Sequence, residues 1–522
     1  MTVFKNAHFI SCEKDNREFS VLAEDKGRIV YCGDAIPARY ATAPAVDLGG
    51  KTVVPAFADT HIHFASHALF ESTLDVRDAE DFAELGQMLR EYETRTQKQK
   101  LSVCFGCCAH TVKEGRLPDK ADLDLYTTRP TLIVKYDGHA GVGNSALVES
   151  LPEAVRADPG FDTETGWMTQ NAFYEGVNFM TAQISPLSIL AGLQKSADSL
   201  ARRGIALVHA VEGVGFKNDI DLDMMRFAAR GLPQDFRIFF QTMDVAKAKK
   251  RKLPRIGGCF RLALDGCFGS EDAALLEPYA NNPDNRGFLT YEQAQVDQFC
   301  IEANRQGLQI AIHAIGDAAM EQALTAFEAA QNDFPREDAR HIVIHACLMN
   351  EDQQARAAAL GLMIATQPAF LYWRHEPQAY LDTILGVERA GAIMPLKSWV
   401  EKGITVTAGS DAPCTIPDPI RGIHYACNHP DPKESLTPLD ALRMHTAWAA
   451  YSCFDEDRRG TLREGLLSDF VVLSDNPLAM PVERLDTLQI EGVYFRGKEY
   501  ESKGRRLAGL VGKAIVGKGK AP

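Results

Sequence analysis

No uncharged apolar stretch in this chain of 522 residues reaches the ~18 residues that a membrane-spanning helix needs. That excludes a helical membrane protein. The N-terminus, MTVFKNAHFISCEKDN, lacks a basic segment followed by an apolar run, so no signal peptide is expected and a cytoplasmic protein is. Positive charge is also in short supply. Lys and Arg total 56 against 70 Asp and Glu, a formal net charge of -14, which argues against nucleic acid or an anionic membrane as the main partner. The 12 cysteines have no regular spacing and read as reduced thiols, not a disulfide framework. Internal repeats and low-complexity segments do not stand out. One local exception to the acidic balance is the tail, with Lys503, Arg505, Arg506, Lys513, Lys518 and Lys520, which reads as a solvated, frayed terminus.

What is present fits a large soluble enzyme. Hydrophobic residues make up 45% and charged residues 24%, and the length exceeds one ordinary compact domain. Short strand-like runs sit at both ends: Val3 to Ser11, Phe19 to Ala23, Arg28 to Cys32, Asp469 to Leu473 and Ile490 to Phe495. They predict a small β-sandwich domain built from residues 1–51 and 460–522. Between them, eight apolar runs alternate with helix-forming segments. These are Thr52–Ala56, Ile205–His209, Arg237–Gln241, Phe260–Leu264, Gln309–His313, His341–His345, Leu362–Thr366 and Ile404–Ala408. Alternation of this kind predicts βα units and a parallel sheet, and eight units close a (β/α)₈ barrel. The expected fold is therefore α/β, with the barrel over 52–459. Residues 64–200 break the rhythm and read as an insertion on the barrel's rim, carrying strands at Ser102–Cys107 and Thr131–Tyr136 and a helix near 80–98.

The chemistry-bearing residues follow the same rhythm. Asp59-Thr60-His61-Ile62-His63 comes directly after the first run, and residues two apart in extended backbone point the same way. Alone, that pair could be two satisfied histidines at a strand end. His313 and His345, however, close two further strands about one βα unit apart, and Asp411 follows after about two more. Metal-competent side chains at four strand ends converge on the mouth where this fold keeps its catalytic residues. Cys104, Cys107, Cys108 and His110 form another metal-looking group, but SVCFGCC also reads as a buried strand. Trp373, Arg374 and His375, shortly after the seventh run, fall where a pocket wall would be, and Trp373 is a candidate substrate contact.

These residues resemble the amidohydrolase superfamily. Finer matches are to amidohydrolase family 3, the branch that contains N-substituted formamide deformylases. They are Asp137-Gly138-His139-Ala140, Leu264-Asp265-Gly266, His313-Ala314-Ile315-Gly316-Asp317, Gly409-Ser410-Asp411-Ala412-Pro413 and the return through Gly460-Thr461-Leu462 to Asp469-Phe470-Val471-Val472-Leu473. The resemblance implies a metal held by His61, His63, His313 and Asp411. It makes Asp411 the proton carrier, His345 either a further ligand or a group that polarises the carbonyl, and His139 and Asp265 candidates for substrate contact. Two departures stand out. Gln170 replaces a common acidic residue. More importantly, Arg261 occupies the place of a lysine that many superfamily members carboxylate to bridge two metals, and a guanidinium cannot form that carbamate. One divalent metal per chain, zinc by ligand chemistry, is therefore expected. The implied activity is hydrolysis of a non-peptide C–N bond in a small-molecule substrate. A deaminase on the same fold is the nearest rival, and a non-catalytic ligand-binding member is the reading that Arg261 favours. A homo-oligomer is compatible with the sequence.

Overall fold

The structure, a computed structural model, describes residues 1–502 and 507–516. At its centre, eight strands run parallel in consecutive order: β1 (Phe57–Ile62), β2 (Ile205–Glu212), β3 (Asp235–Phe240), β4 (Arg255–Ala263), β5 (Gln309–Ala314), β6 (Ile342–His345), β7 (Met363–Thr366) and β8 (Thr405–Ala408). Every residue of β2, β5 and β6 is buried, because helices cover the outside of the sheet and side chains fill the inside. The alternation is visible in β5. Ile310 and Ile312 belong to the outer core, on the side covered by the helices that carry Phe299 and Phe327, while Ala311 joins Val211, Phe239, Ile344 and Met363 in the interior.

No ladder links β8 to β1. The barrel closes there through Ser410 N–H donating to Asp59 (3.0 Å), Asp411 N–H to His61 O (2.8 Å) and His63 N–H to Ala412 O (3.0 Å). Gly409 is required at this seam, since a Cβ there would lie 2.5 Å from His61 N.

The expected first barrel strand needs correction. Thr52–Ala56 does not enter the barrel, because residues up to Pro55 belong to a strand, Ala45–Pro55, of the terminal sheet. The chain changes sheets at Ala56, whose N–H bonds Asp469 O, while Phe57 N–H already bonds Gly204 O. The fourth strand also begins earlier than expected. Its ladder to β5 runs from Arg255 to Gly258, stops, and resumes at Ala263, so Cys259 to Leu262 form an excursion in which Phe260 adopts a φ of 22°.

The terminal sheet has eight strands drawn from both ends of the chain. The Phe4 and Tyr494 rings lie 5.3 Å apart although two strands separate theirs, which in a flat sheet would hold them roughly 14 Å apart. The sheet therefore curls around its own aromatic core of Phe4, Phe9, Phe470 and Tyr494. The rim insertion carries a separate five-stranded sheet that includes the expected strands Ser102–Cys107 and Thr131–Lys135, with the helix Phe82–Arg95 beside it. Part of the tail is helical. Leu507–Val516 buries Leu510 and Ala514, whereas Lys503, Arg505, Arg506, Lys518 and Lys520 lie outside the described residues. No described helix is long and apolar enough to cross a membrane.

Candidate metal centre

Six side chains from five barrel strands meet at the mouth. His61 is the penultimate residue of β1 and His63 follows the strand, with ring centroids 5.3 Å apart. His313 comes from β5, on the same inward face as Ala311 two residues earlier. In β6, Ile342 and Ile344 face inward, so strict alternation would send His345 outward. Its left-handed φ of 70° breaks the alternation, and its ring lies 4.6 Å from that of His313. Asp411, just beyond β8, has a φ of 53°. Such backbone costs on the order of 1–2 kcal/mol at a non-glycine residue and recurs at functional sites.

The sixth residue is Cys259, in the excursion of β4. Its Sγ lies 3.2 Å from His61 Nε2 and 3.5 Å from His345 Nε2. Asp411 Oδ1 lies 3.1 Å from His61 Nε2 and 3.3 Å from His63 Nε2. The spacings among His61, His63, Cys259 and Asp411 are close to those of ligand atoms around one tetrahedral cation, roughly 3.3–3.7 Å apart for ordinary zinc bond lengths, and His345 groups instead with Cys259 and His313. Asp411 Oδ1 is buried without a properly directed hydrogen bond, as is His313 Nδ1. Orphaned acceptors of this kind are what a metal would satisfy, so the residues present fit a divalent ion.

Surrounding groups fix the ligand orientations. Gln367 Oε1 accepts from His345 Nδ1 at 2.6 Å, leaving Nε2 to face Cys259. Gly266 O lies 3.1 Å from His313 Nε2, leaving Nδ1 free. Asp59 accepts from the backbone N–H groups of His61 (3.2 Å) and Ser410 (3.0 Å). Partners of this sort set tautomer and aim in metal sites. Burial pushes His61 and His345 below the ordinary histidine range, so both are neutral, as ligands must be. Burial alone would raise the Asp411 carboxyl, but His61 and His63 hold it well below the usual range, so it is ionised.

The expected substrate contacts separate. His139 is half-buried with its ring 6.1 Å from that of His313, and Asp137 accepts its backbone N–H (3.1 Å). Burial lowers the imidazole to about 4. Trp373 stacks on Phe370 at 4.6 Å. Both line a cavity of about 40 Å³ that also touches His313, His345 and Asp411. Asp265 is the correction. It is fully buried and accepts from Ile315 N–H (3.0 Å), Gly316 N–H (2.8 Å) and Ala274 N–H (2.9 Å), with His313 Nε2 3.4 Å away. Its oxygens are spent on loop amides, so it positions the turn beside His313 and cannot contact substrate.

Arg261 is a second correction, since its exposed side chain lies outside the site. Cys104, Cys107 and Cys108 are buried in the insertion, and His110 stacks against Tyr380 at 4.0 Å. No metal-competent cluster among the described residues includes them. The sequence reading missed Cys259 and Gln367. The only signal for Cys259 was its place two residues before Arg261, on the same nominal strand face.

A sequence profile described as "Amidohydrolase family" matches residues 45–500. YtcJ of Bacillus subtilis is 27% identical over 93% of this chain and 96% of its own. The N-substituted formamide deformylase of Arthrobacter pascens is 23% identical over 96% of this chain and 98% of its own. Among solved structures, an uncharacterised metal-dependent hydrolase from Pyrococcus furiosus superposes with a TM-score of 0.73 at 25% identity, covering 91% of this chain and 99% of that one.

Proposed function

This chain belongs to the amidohydrolase family, and we propose that it hydrolyses a non-peptide C–N bond of the amide type in a small molecule. The observation that carries the proposal is the convergence of His61, His63, Cys259 and Asp411 in one buried donor set and of Cys259, His313 and His345 in a second, with two buried acceptors left unsatisfied. Imidazole and carboxylate donors suit zinc, and a bound divalent ion polarises both water and an amide carbonyl. Asp411, ionised and at the cavity wall, takes the proton from the attacking water and hands it to the leaving nitrogen. His139 and Trp373, on the other walls, orient the acyl group. A cavity of about 40 Å³ favours a small acyl group, in keeping with the formamide deformylase relative. With Arg261 outside the site, the feature that favoured a non-catalytic member no longer bears on it.

The test is a screen of N-substituted formamides, acetamides and amino-heterocycles, before and after chelation and with zinc restored. Carboxylate release that vanishes with the metal and returns with it is expected. Ammonia release from heterocycles without amide cleavage would make the protein a deaminase.

His139→Ala is expected to lower kcat/KM by about 10- to 100-fold, equivalent to ~1.4–2.8 kcal/mol of lost transition-state contact. Metal content and thermal unfolding should barely change, because the residue is half-buried at the cavity rather than part of the core. Earlier unfolding with normal activity would make it a turn residue only.

A further inference from the structure

Resting on that metal-dependent reading, we infer that Cys259 is a shared ligand, its thiolate bridging two divalent cations. Its Sγ belongs to two donor sets at once. With His61, His63 and Asp411 it forms one group whose ligand atoms all lie within 4.8 Å of one another, and with His313 and His345 it forms a second. A single ion in the first set leaves the second set idle. His313 Nδ1 is then a buried acceptor with no partner, on a residue only 1% exposed, while its other nitrogen is committed to Gly266 O. The Nε2 of His345 is likewise turned toward Cys259 by the bond that Gln367 makes to its Nδ1.

The expectation of one metal assumed that Arg261 stands at the bridging position. The excursion of β4 removes that assumption, because it sends Arg261 to the surface and leaves Cys259 facing inward with Val211, Ala311 and Ile344. A thiol in that layer could be mere packing, but packing does not account for two imidazole nitrogens at 3.2 and 3.5 Å. A thiolate has lone pairs for two cations and one negative charge. Being soft, it also tilts the site toward zinc or cobalt over magnesium or calcium. On loading, the thiol proton leaves to solvent and the sulfur keeps both electrons of the former S–H bond.

The experiment titrates the full chain, stripped by chelation under reducing, anaerobic conditions, with Co²⁺ alone. Wild type should bind two ions per chain with a near-ultraviolet thiolate-to-cobalt charge-transfer absorption. Cys259→Ser should lose that absorption and hold the second ion at least about tenfold more weakly, the lower end of what even a supporting group contributes to a metal site. Cys259→Ala, closer in polarity to the buried thiol, repeats the measurement should the serine variant fold poorly. One ion per chain in wild type, cobalt bound without the absorption, or the absorption surviving in both variants would each overturn the bridge while leaving a metal centre in place. Wild type that binds no cobalt at all would defeat the metal-dependent reading itself.

Discussion

Asp411→Asn is expected to lower kcat/KM by at least about 10³-fold even at saturating zinc, or ~4 kcal/mol of transition-state stabilisation. In the proposed reaction the carboxylate has two tasks, and the amide would fail at both. Oδ1 sits between His61 and His63 as an anionic donor, and asparagine offers only a neutral oxygen there. As proton carrier, asparagine has no basic lone pair that can accept and return a proton near neutral pH. The fold should survive, because asparagine tolerates the left-handed backbone that Asp411 adopts and the bond from its N–H to His61 O uses only main chain. Metal content and kcat/KM measured across a zinc titration separate the two losses. Weak binding alone would be rescued by added zinc. Recovery to within about tenfold of wild type would show that another group carries the proton.

Asp235→Ala is expected to lower the free energy of unfolding by about 3–5 kcal/mol, the cost of removing one partner from a buried ion pair. Asp235 opens β3 at the opposite end of the barrel from the metal centre and is 1% exposed. Arg459 bonds it closely, and Arg496 and Arg458 approach to 3.1 and 3.4 Å. Arg496 comes from the turn after the strand Ile490–Phe495, so the cluster joins the barrel floor to the terminal sheet. Removing the carboxylate leaves Arg459 buried with Asp455 (3.2 Å) and the more distant Asp469 (3.7 Å) as its remaining carboxylates, beside the Ala206 carbonyl (3.1 Å). Urea unfolding should show a lower midpoint, with kcat of the folded protein unchanged. Burial alone would raise the Asp235 carboxyl, but Arg459, Arg496, Arg237 and Arg458 hold it below the ordinary carboxylate range. A group depressed in the folded state contributes fully above its unfolded pKa and loses that contribution as pH falls through the folded value. The gap between wild type and variant should therefore be widest near neutral pH and narrow in acid. An unchanged midpoint would mean that Asp455 and Asp469 suffice for Arg459.

The barrel's rhythm and five of the side chains of the candidate metal centre were legible because they depend on local rules. Buried parallel strands are short apolar runs, and the residue that ends one of them stands at the mouth. His61, His63, His313, His345 and Asp411 all obey that rule, although His345 reaches the centre only through its left-handed backbone. Other assignments depended on a partner that sequence order does not reveal. Thr52–Ala56 is as apolar as any barrel strand, and only its pairing with Phe470–Leu473 places it in the terminal sheet. Asp265 looks like any acidic residue at a strand end until the loop amides of Ile315, Gly316 and Ala274 occupy its oxygens.

Cys259 and Arg261 mark the boundary most clearly. Two residues apart on one strand, they share a face by alternation, so the chain alone cannot say which of them faces the candidate metal centre. The register between β4 and β5 makes the choice, because the ladder breaks after Gly258 and resumes at Ala263. Residue type and spacing along one strand determined which groups could reach the barrel mouth. Pairing between strands distant in sequence decided which of them arrive, because a break in the ladder turns a side chain from one face to the other without changing a residue.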